Sequence, residues 1–123
     1  MRVSVRGHEL ATDQPVADGG DDTAPTPTEM FVGALAACVG YYAERYLRRH
    51  EISTDGLTVT CDYTWAENPH RVGAIDVAVD APALPADNWE TFARVVEHCT
   101  VHNTLLVPPE VRLKVGRAGT VAA

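Results

Sequence analysis

The sequence predicts an α+β domain, and three observations carry that prediction. Its candidate strands are segregated rather than strictly alternating with helices, in the order strands, long helix, hairpin, helix, strand. A helical stretch from Met30 to Ala43 has no charged side chain at all. The 123 residues, 46% of them apolar, are enough for one core in one domain spanning 1–123. A parallel, doubly wound sheet is not expected from this order.

The first strand is predicted over residues 2–6, where Val3 and Val5 alternate with Arg2, Ser4 and Arg6 as in a half-buried strand. Gly7 breaks it, and Leu10 and Ala11 form a second short extended piece. Gln14-Pro15 and Asp18-Gly19-Gly20-Asp21-Asp22 read as an irregular loop, with the glycines serving a turn.

Thr26-Pro27-Thr28-Glu29 is the strongest local signal. Threonine suits the N-cap, proline the first helical position, and Glu29 the place of a capping-box carboxylate. The helix that starts here runs past Arg48 and Arg49, whose charges suit a helix C-terminus, to give roughly 24 residues and about 36 Å of length. Because Met30 to Ala43 is apolar on every face, it cannot lie on a surface and must be wrapped by other structure. One domain of this size covers such a helix poorly, which makes a second copy of the chain the natural supplier of the missing cover.

Leu57 to Trp65 alternates cleanly, and Ile75, Val77 and Val79 share a face, so the two segments form an antiparallel hairpin joined through Glu67-Asn68-Pro69-His70-Arg71. Pro82 and Pro85 end it. Asp87 with Glu90 repeats the capping pattern, and Phe92, Val95, Val96 and Cys99 follow helical spacing, which turns Cys99 toward the core. Pro108-Pro109 enforces a stop before a final strand in which Val111, Leu113 and Val115 alternate with Arg112 and Lys114. The tail from Gly116 to Ala123 is expected to fray.

A net charge of −7 with no basic patch argues against nucleic acid as a partner. No apolar run reaches signal-peptide or membrane-spanning length, so no membrane partner and a cytoplasmic location are expected. Thiols there stay reduced, and three cysteines without CxxC spacing do not describe a disulfide framework.

Three segments belong together: GGDDTAPTPTEMFVGALAAC from Gly19 to Cys38, the hairpin carrying Glu67-Asn68-Pro69, and HCTVHNTL from His98 to Leu105. Read jointly, from about Asp13 to Val115, the chain resembles the OsmC/Ohr family of small peroxide-handling proteins. The resemblance implies an OsmC-like fold, with antiparallel sheets around a long buried central helix in an intertwined homodimer. It also implies an antioxidant, stress-response peroxidase that reduces organic hydroperoxides and is regenerated by a dithiol, with no cofactor and no metal. By the same resemblance Cys38 is the peroxide-attacking sulfur and Cys99 the resolving one.

Each residue also has a plainer explanation. Cys38 fits a small core residue, since free cysteine is among the most buried types, and Cys61, with Val59 and Tyr63 on one strand face, fits core packing. Glu29 is a third catalytic candidate, because family peroxidases use a helix-start glutamate to steady an arginine. A capping box accounts for it equally, and nine residues of helix place it about 180° round and roughly 13.5 Å from Cys38. In the clearest peroxidases that glutamate falls one position earlier, at Thr28 here, and their early-strand arginine has no evident counterpart. Arg2 and Arg6 are candidates that equally suit a solvated strand face.

The other readings are an OsmC-like small-molecule binding or redox-sensing protein, and a metal protein using His98, Cys99 and His102. The apolar pocket required by the peroxidase and binding readings would be lined by Met30, Phe31, Leu35 and side chains such as Tyr41 or Phe92.

Overall fold

The computed structural model describes residues 1–117. It is α+β, with two small antiparallel sheets and three α-helices among the described residues. Strands β1 (Arg2–Val5) and β2 (His8–Ala11) form a hairpin whose turn residues Arg6 and Gly7 both have positive φ, 49° and 81°. That two-residue turn matches the natural twist of paired strands. The hairpin pairs Arg2 with Ala11 and Val5 with His8, yet all its residues are exposed, Val3 by 40% and Val5 by 53%. The expected half-buried face is therefore not buried, because no other element among the described residues lies over it.

The loop to the central helix is tied down by a single carboxylate. Asp13 accepts the backbone N–H groups of Gln14, Asp21 and Thr23 and the hydroxyl of Thr23, at 2.8, 3.2, 3.0 and 2.8 Å. These bonds hold its carboxyl well below the usual carboxylate range. The predicted glycine turn is here. Gly19 adopts a left-handed φ of 92°, and a Cβ on Gly20 would overlap the carbonyl of Gln14.

Helix α1 spans Pro27–Arg49. Its capping box is complete: the Thr26 hydroxyl accepts the Glu29 N–H at 3.1 Å, and a Glu29 carboxylate oxygen accepts the Thr26 N–H at 2.9 Å. One face, through Val32, Leu35, Val39, Ala43, Tyr46 and Leu47, is buried. The opposite face is not, since Gly33, Ala34 and Ala37 are exposed and Tyr41 is 57% exposed. The wrapping expected of this helix is thus supplied on one side only within the chain.

Strands β3 (Thr58–Ala66) and β4 (Arg71–Asp80) form the predicted hairpin, with Thr58 opposite Asp80, Cys61 opposite Val77, and an irregularity at Thr64/Trp65. Its Val59, Ile75 and Val79 pack on α1.

Helix α2 (Trp89–Glu97) and helix α3 (Thr100–Leu106) follow. Two expectations need correction here. Asp87 does not cap α2; Asn88 precedes the helix, and its amide instead donates to the Tyr46 hydroxyl at 3.1 Å. Cys99 is not the continuation of α2, which ends at Glu97, but the N-cap of α3. The hydrophobic spacing carried across the break because Cys99 faces the same core as Val96.

The core has two parts. Ala43, Tyr46, Leu47 and Phe92 form one, Leu35, Val39 and Cys99 the other, and Val79 and Val96 pack against both. The final strand does not form among the described residues. Val111, Leu113 and Val115 are 83%, 87% and 90% exposed, since a strand ladder needs a neighbouring edge and the described residues bring none to this segment. Of the predicted frayed tail, residues 118–123 lie outside the described residues.

Candidate functional site: a pair of thiols between helices α1 and α3

The buried face of α1 and the start of α3 meet at two cysteines. Cys38 sits at mid-helix, half-buried, on the border between the buried and exposed faces of α1, while Cys99 is completely buried. Both are free thiols, and Cys38 packs against the buried cluster formed by Leu35, Val39 and Cys99. Two residues 61 positions apart in the chain are thereby brought together.

Cys99 lies against Leu35 and Val39, with Val96 and Val101 around it. Burial pushes its thiol above the ordinary value, the backbone N–H of His102 pulls it down, and the Cys38 thiol pushes it up again. The N–H of His102 reaches Sγ at 3.3 Å, which is also the capping bond of α3. At neutral pH Cys99 is therefore a protonated thiol.

Two residues to which the sequence reading gave no role complete the site. The Tyr42 hydroxyl, one turn beyond Cys38 on α1, hydrogen-bonds the hydroxyl of Thr100, which follows Cys99, at 3.0 Å. Tyr42 also packs edge-on against Tyr41, with ring centroids 5.3 Å apart. The sequence signal for Tyr42 was its i+4 position from Cys38, which places both on one stripe of the helix.

Beside the thiols is a cavity of about 660 Å³. Phe31, Leu35 and Val39 of α1, Ile75 and Val77 of β4, and Val96 of α2 give it an apolar lining, with Glu97 and His102 at one edge. Leu35, Val39 and Val96 both line the cavity and touch the Cys99 cluster. Phe31 and Leu35 fall where the sequence put them. Met30, Tyr41 and Phe92 do not line it: Phe92 is spent in the other half of the core, and Tyr41 points outward.

Glu29 is exposed at the first turn of α1 and engaged in the capping box, away from the thiols. Arg2 and Arg6 are exposed on the β1–β2 hairpin. Arg45 lies on the Cys38 side of α1, seven residues or roughly 10.5 Å further along, with its guanidinium 5.3 Å from the centre of the Tyr42 ring and 6.0 Å from that of Tyr41.

His98 and His102 each turn Nδ1 to a backbone carbonyl, of Arg94 at 2.6 Å and of Glu97 at 2.7 Å. That places the proton on Nδ1, and among the described residues no group of three or more His, Cys, Asp or Glu side chains is arranged to hold a metal. Cys61 stays half-buried on β3, its thiol pushed up by burial and by the charge of Asp62.

The fold has relatives. The family model for OsmC-like protein matches residues 19–114, and the chain belongs to that family. Among solved structures, a protein from Psychrobacter arcticus described as a putative osmotic stress induced and detoxification response protein is 26% identical, with a TM-score of 0.71 over 80% of this chain and 72% of that one. An organic hydroperoxide resistance protein OsmC from Legionella pneumophila, also described as a predicted redox protein, is 21% identical, with a TM-score of 0.57 over 80% and 74%. An OsmC-like protein of unknown function from Vibrio cholerae is 15% identical, with a TM-score of 0.59 over 80% and 72%. No curated protein matches the chain. No helix among the described residues is long and apolar enough to cross a membrane.

Proposed function

We propose that the chain is a cysteine-based peroxidase that reduces organic hydroperoxides through Cys38 and Cys99. The observation that carries this reading is the packing of Cys38 against the buried cluster that contains Cys99, beside an apolar cavity. Cys38, as thiolate, attacks the outer oxygen of R–OOH; the O–O bond breaks, R–OH leaves after taking up a proton, and Cys38 becomes a sulfenic acid. The Cys99 sulfur then attacks that of Cys38, expelling the hydroxyl as water and forming a disulfide. A dithiol returns both sulfurs to thiols. Complete burial suits Cys99 to the second step, where its target is the adjacent sulfur and not a diffusing substrate.

The working form is a homodimer in the cytoplasm. The bare face of α1, the exposed β1–β2 hairpin and the unpaired segment of Val111, Leu113 and Val115 are three apolar or edge-like surfaces of one chain that a second copy covers. Glu29, besides its capping box, serves the site through an intermediate arginine or from the other subunit.

A second reading, an OsmC-like binding or redox-sensing protein without turnover, is favoured by the placement of Arg2 and Arg6 on the exposed hairpin. The two are separated by following cumene hydroperoxide consumption with a lipoyl-type dithiol in wild type, Cys38→Ser and Cys99→Ser. Peroxidase activity requires loss of turnover in both variants, whereas equal background rates in all three proteins leave only the binding reading.

A further inference from the structure

We propose that Tyr42 is a positioning residue for the thiol pair: its hydrogen bond to Thr100 ties the segment bearing Cys99 to the helix bearing Cys38. The inference rests on the redox couple proposed above and adds the device that keeps the couple in register.

The argument starts from how weakly α3 is otherwise held. It has seven residues, Thr100–Leu106, too few to be stable alone, and the chain breaks helix between Glu97 and Thr100 on one side and reaches Pro108-Pro109 on the other. Its own backbone bonds and caps are all local: His102 N–H to Cys99 Sγ, Asn103 N–H to the Cys99 carbonyl, and the Thr104 hydroxyl to the Thr100 carbonyl. Two non-local interactions fasten it to α1. One is apolar contact of Cys99 and Val101 with the Leu35 and Val39 cluster. The other is the 3.0 Å bond between the Tyr42 and Thr100 hydroxyls, the only hydrogen bond between α1 and α3 among the described residues.

Apolar contact is non-directional and lets a short helix slide or rotate, whereas a hydrogen bond fixes distance and angle. Tyr42 is the residue one turn beyond Cys38, and Thr100 is the residue next to Cys99. The tether therefore joins the immediate neighbours of the two sulfurs. Tyr42 is half-buried, and its ring is flanked by Tyr41 and by the Arg45 guanidinium, so the hydroxyl is aimed and not free to wander. When Cys99 must reach across to a Cys38 sulfur bearing a leaving group, the fraction of time that α3 is docked sets the rate of closure.

The test needs no peroxide. Full-length protein in the Cys61→Ala background is mixed with oxidised glutathione. Cys38 displaces one glutathione to form a mixed disulfide, and Cys99 displaces the second as the Cys38–Cys99 bond closes. Acid-quenched mass spectrometry follows both species. Tyr42→Phe and Thr100→Val are each expected to slow closure about fivefold, the ratio that one net hydrogen bond supplies, and to leave mixed-disulfide formation unchanged. The double variant should be no slower than either single one, and Thr100→Ser, which keeps a hydroxyl, should close at the wild-type rate. Wild-type closure in both single variants, additive slowing in the double variant, or a wild-type protein that never closes would each overturn the tether. Closure with the expected pattern, but without hydroperoxide turnover, would refute the peroxidase reading and leave the tether standing.

Discussion

Replacing Cys99 by alanine removes a sulfur that has two structural functions besides its chemical one, and the structure sets the size of each. As the N-cap of α3, Sγ accepts the His102 N–H at 3.3 Å; loss of an N-cap typically costs about 1 kcal/mol. As a completely buried atom among Leu35, Val39, Val96 and Val101, it is close to a methyl group in bulk, and its deletion costs about 1 kcal/mol more in lost burial and contact. Alanine should therefore lower the unfolding free energy by about 2 kcal/mol. Serine keeps an acceptor at the cap, where oxygen is the better residue type, but buries a hydroxyl in apolar surroundings. It should fall between alanine and wild type, about 1 kcal/mol below the latter. Urea unfolding under reducing conditions at one fixed chain concentration measures all three, since association would otherwise shift the midpoints. An alanine variant as stable as wild type, or a serine variant less stable than alanine, would refute this account of how the thiol is held.

The raised pKa of Cys99 has a kinetic consequence and a thermodynamic one. Closure of the disulfide should accelerate as pH rises above the ordinary thiol value, because the attacking species is the thiolate; a rate flat from neutral to alkaline pH would contradict burial of that thiol. A raised folded-state value also means that the unfolded chain releases this proton first, so reduced protein should lose stability as pH climbs past the unfolded thiol value of about 8.5, and Cys99→Ser should lose less over the same window. Gly20→Ala forces a Cβ into the Gln14 carbonyl and should cost roughly 1–3 kcal/mol, seen as a lowered urea midpoint and faster proteolysis in the Asp13 loop. Leu113→Asp puts a charge in the exposed apolar segment, and by sedimentation it should convert the proposed dimer to monomer with the chain still folded.

What the sequence made legible divides along a physical line. Local signals were sufficient for the capping box at Thr26–Glu29, the turn at Gly19-Gly20 and the β3–β4 hairpin, because each depends on residues a few positions apart. The meeting of Cys38 and Cys99 could be expected only by treating their two segments as one pattern, and the contact itself is a product of packing between α1 and α3. Nothing local marked Tyr42 and Thr100 as a pair, since a hydroxyl on a half-buried helix face becomes informative only when its distant partner is placed. Periodicity described Cys99 as core-facing but missed the break after Glu97, because a cap and a helix residue share the same apolar neighbours there. The strand over Val111 to Val115 and the buried face of β1 failed within the chain for a single reason. Alternation reports which residues need cover, and it is silent on which molecule supplies it.

The central claim is that Cys38 and Cys99 exchange two electrons with an organic hydroperoxide. The most direct measurement treats fully reduced protein with one equivalent of cumene hydroperoxide, blocks remaining thiols, and maps the non-reduced digest by mass spectrometry. The account predicts a peptide carrying Cys38 covalently joined to one carrying Cys99, with Cys61 recovered as a blocked thiol. Recovery of both Cys38 and Cys99 as blocked thiols, with the hydroperoxide unspent, would contradict it.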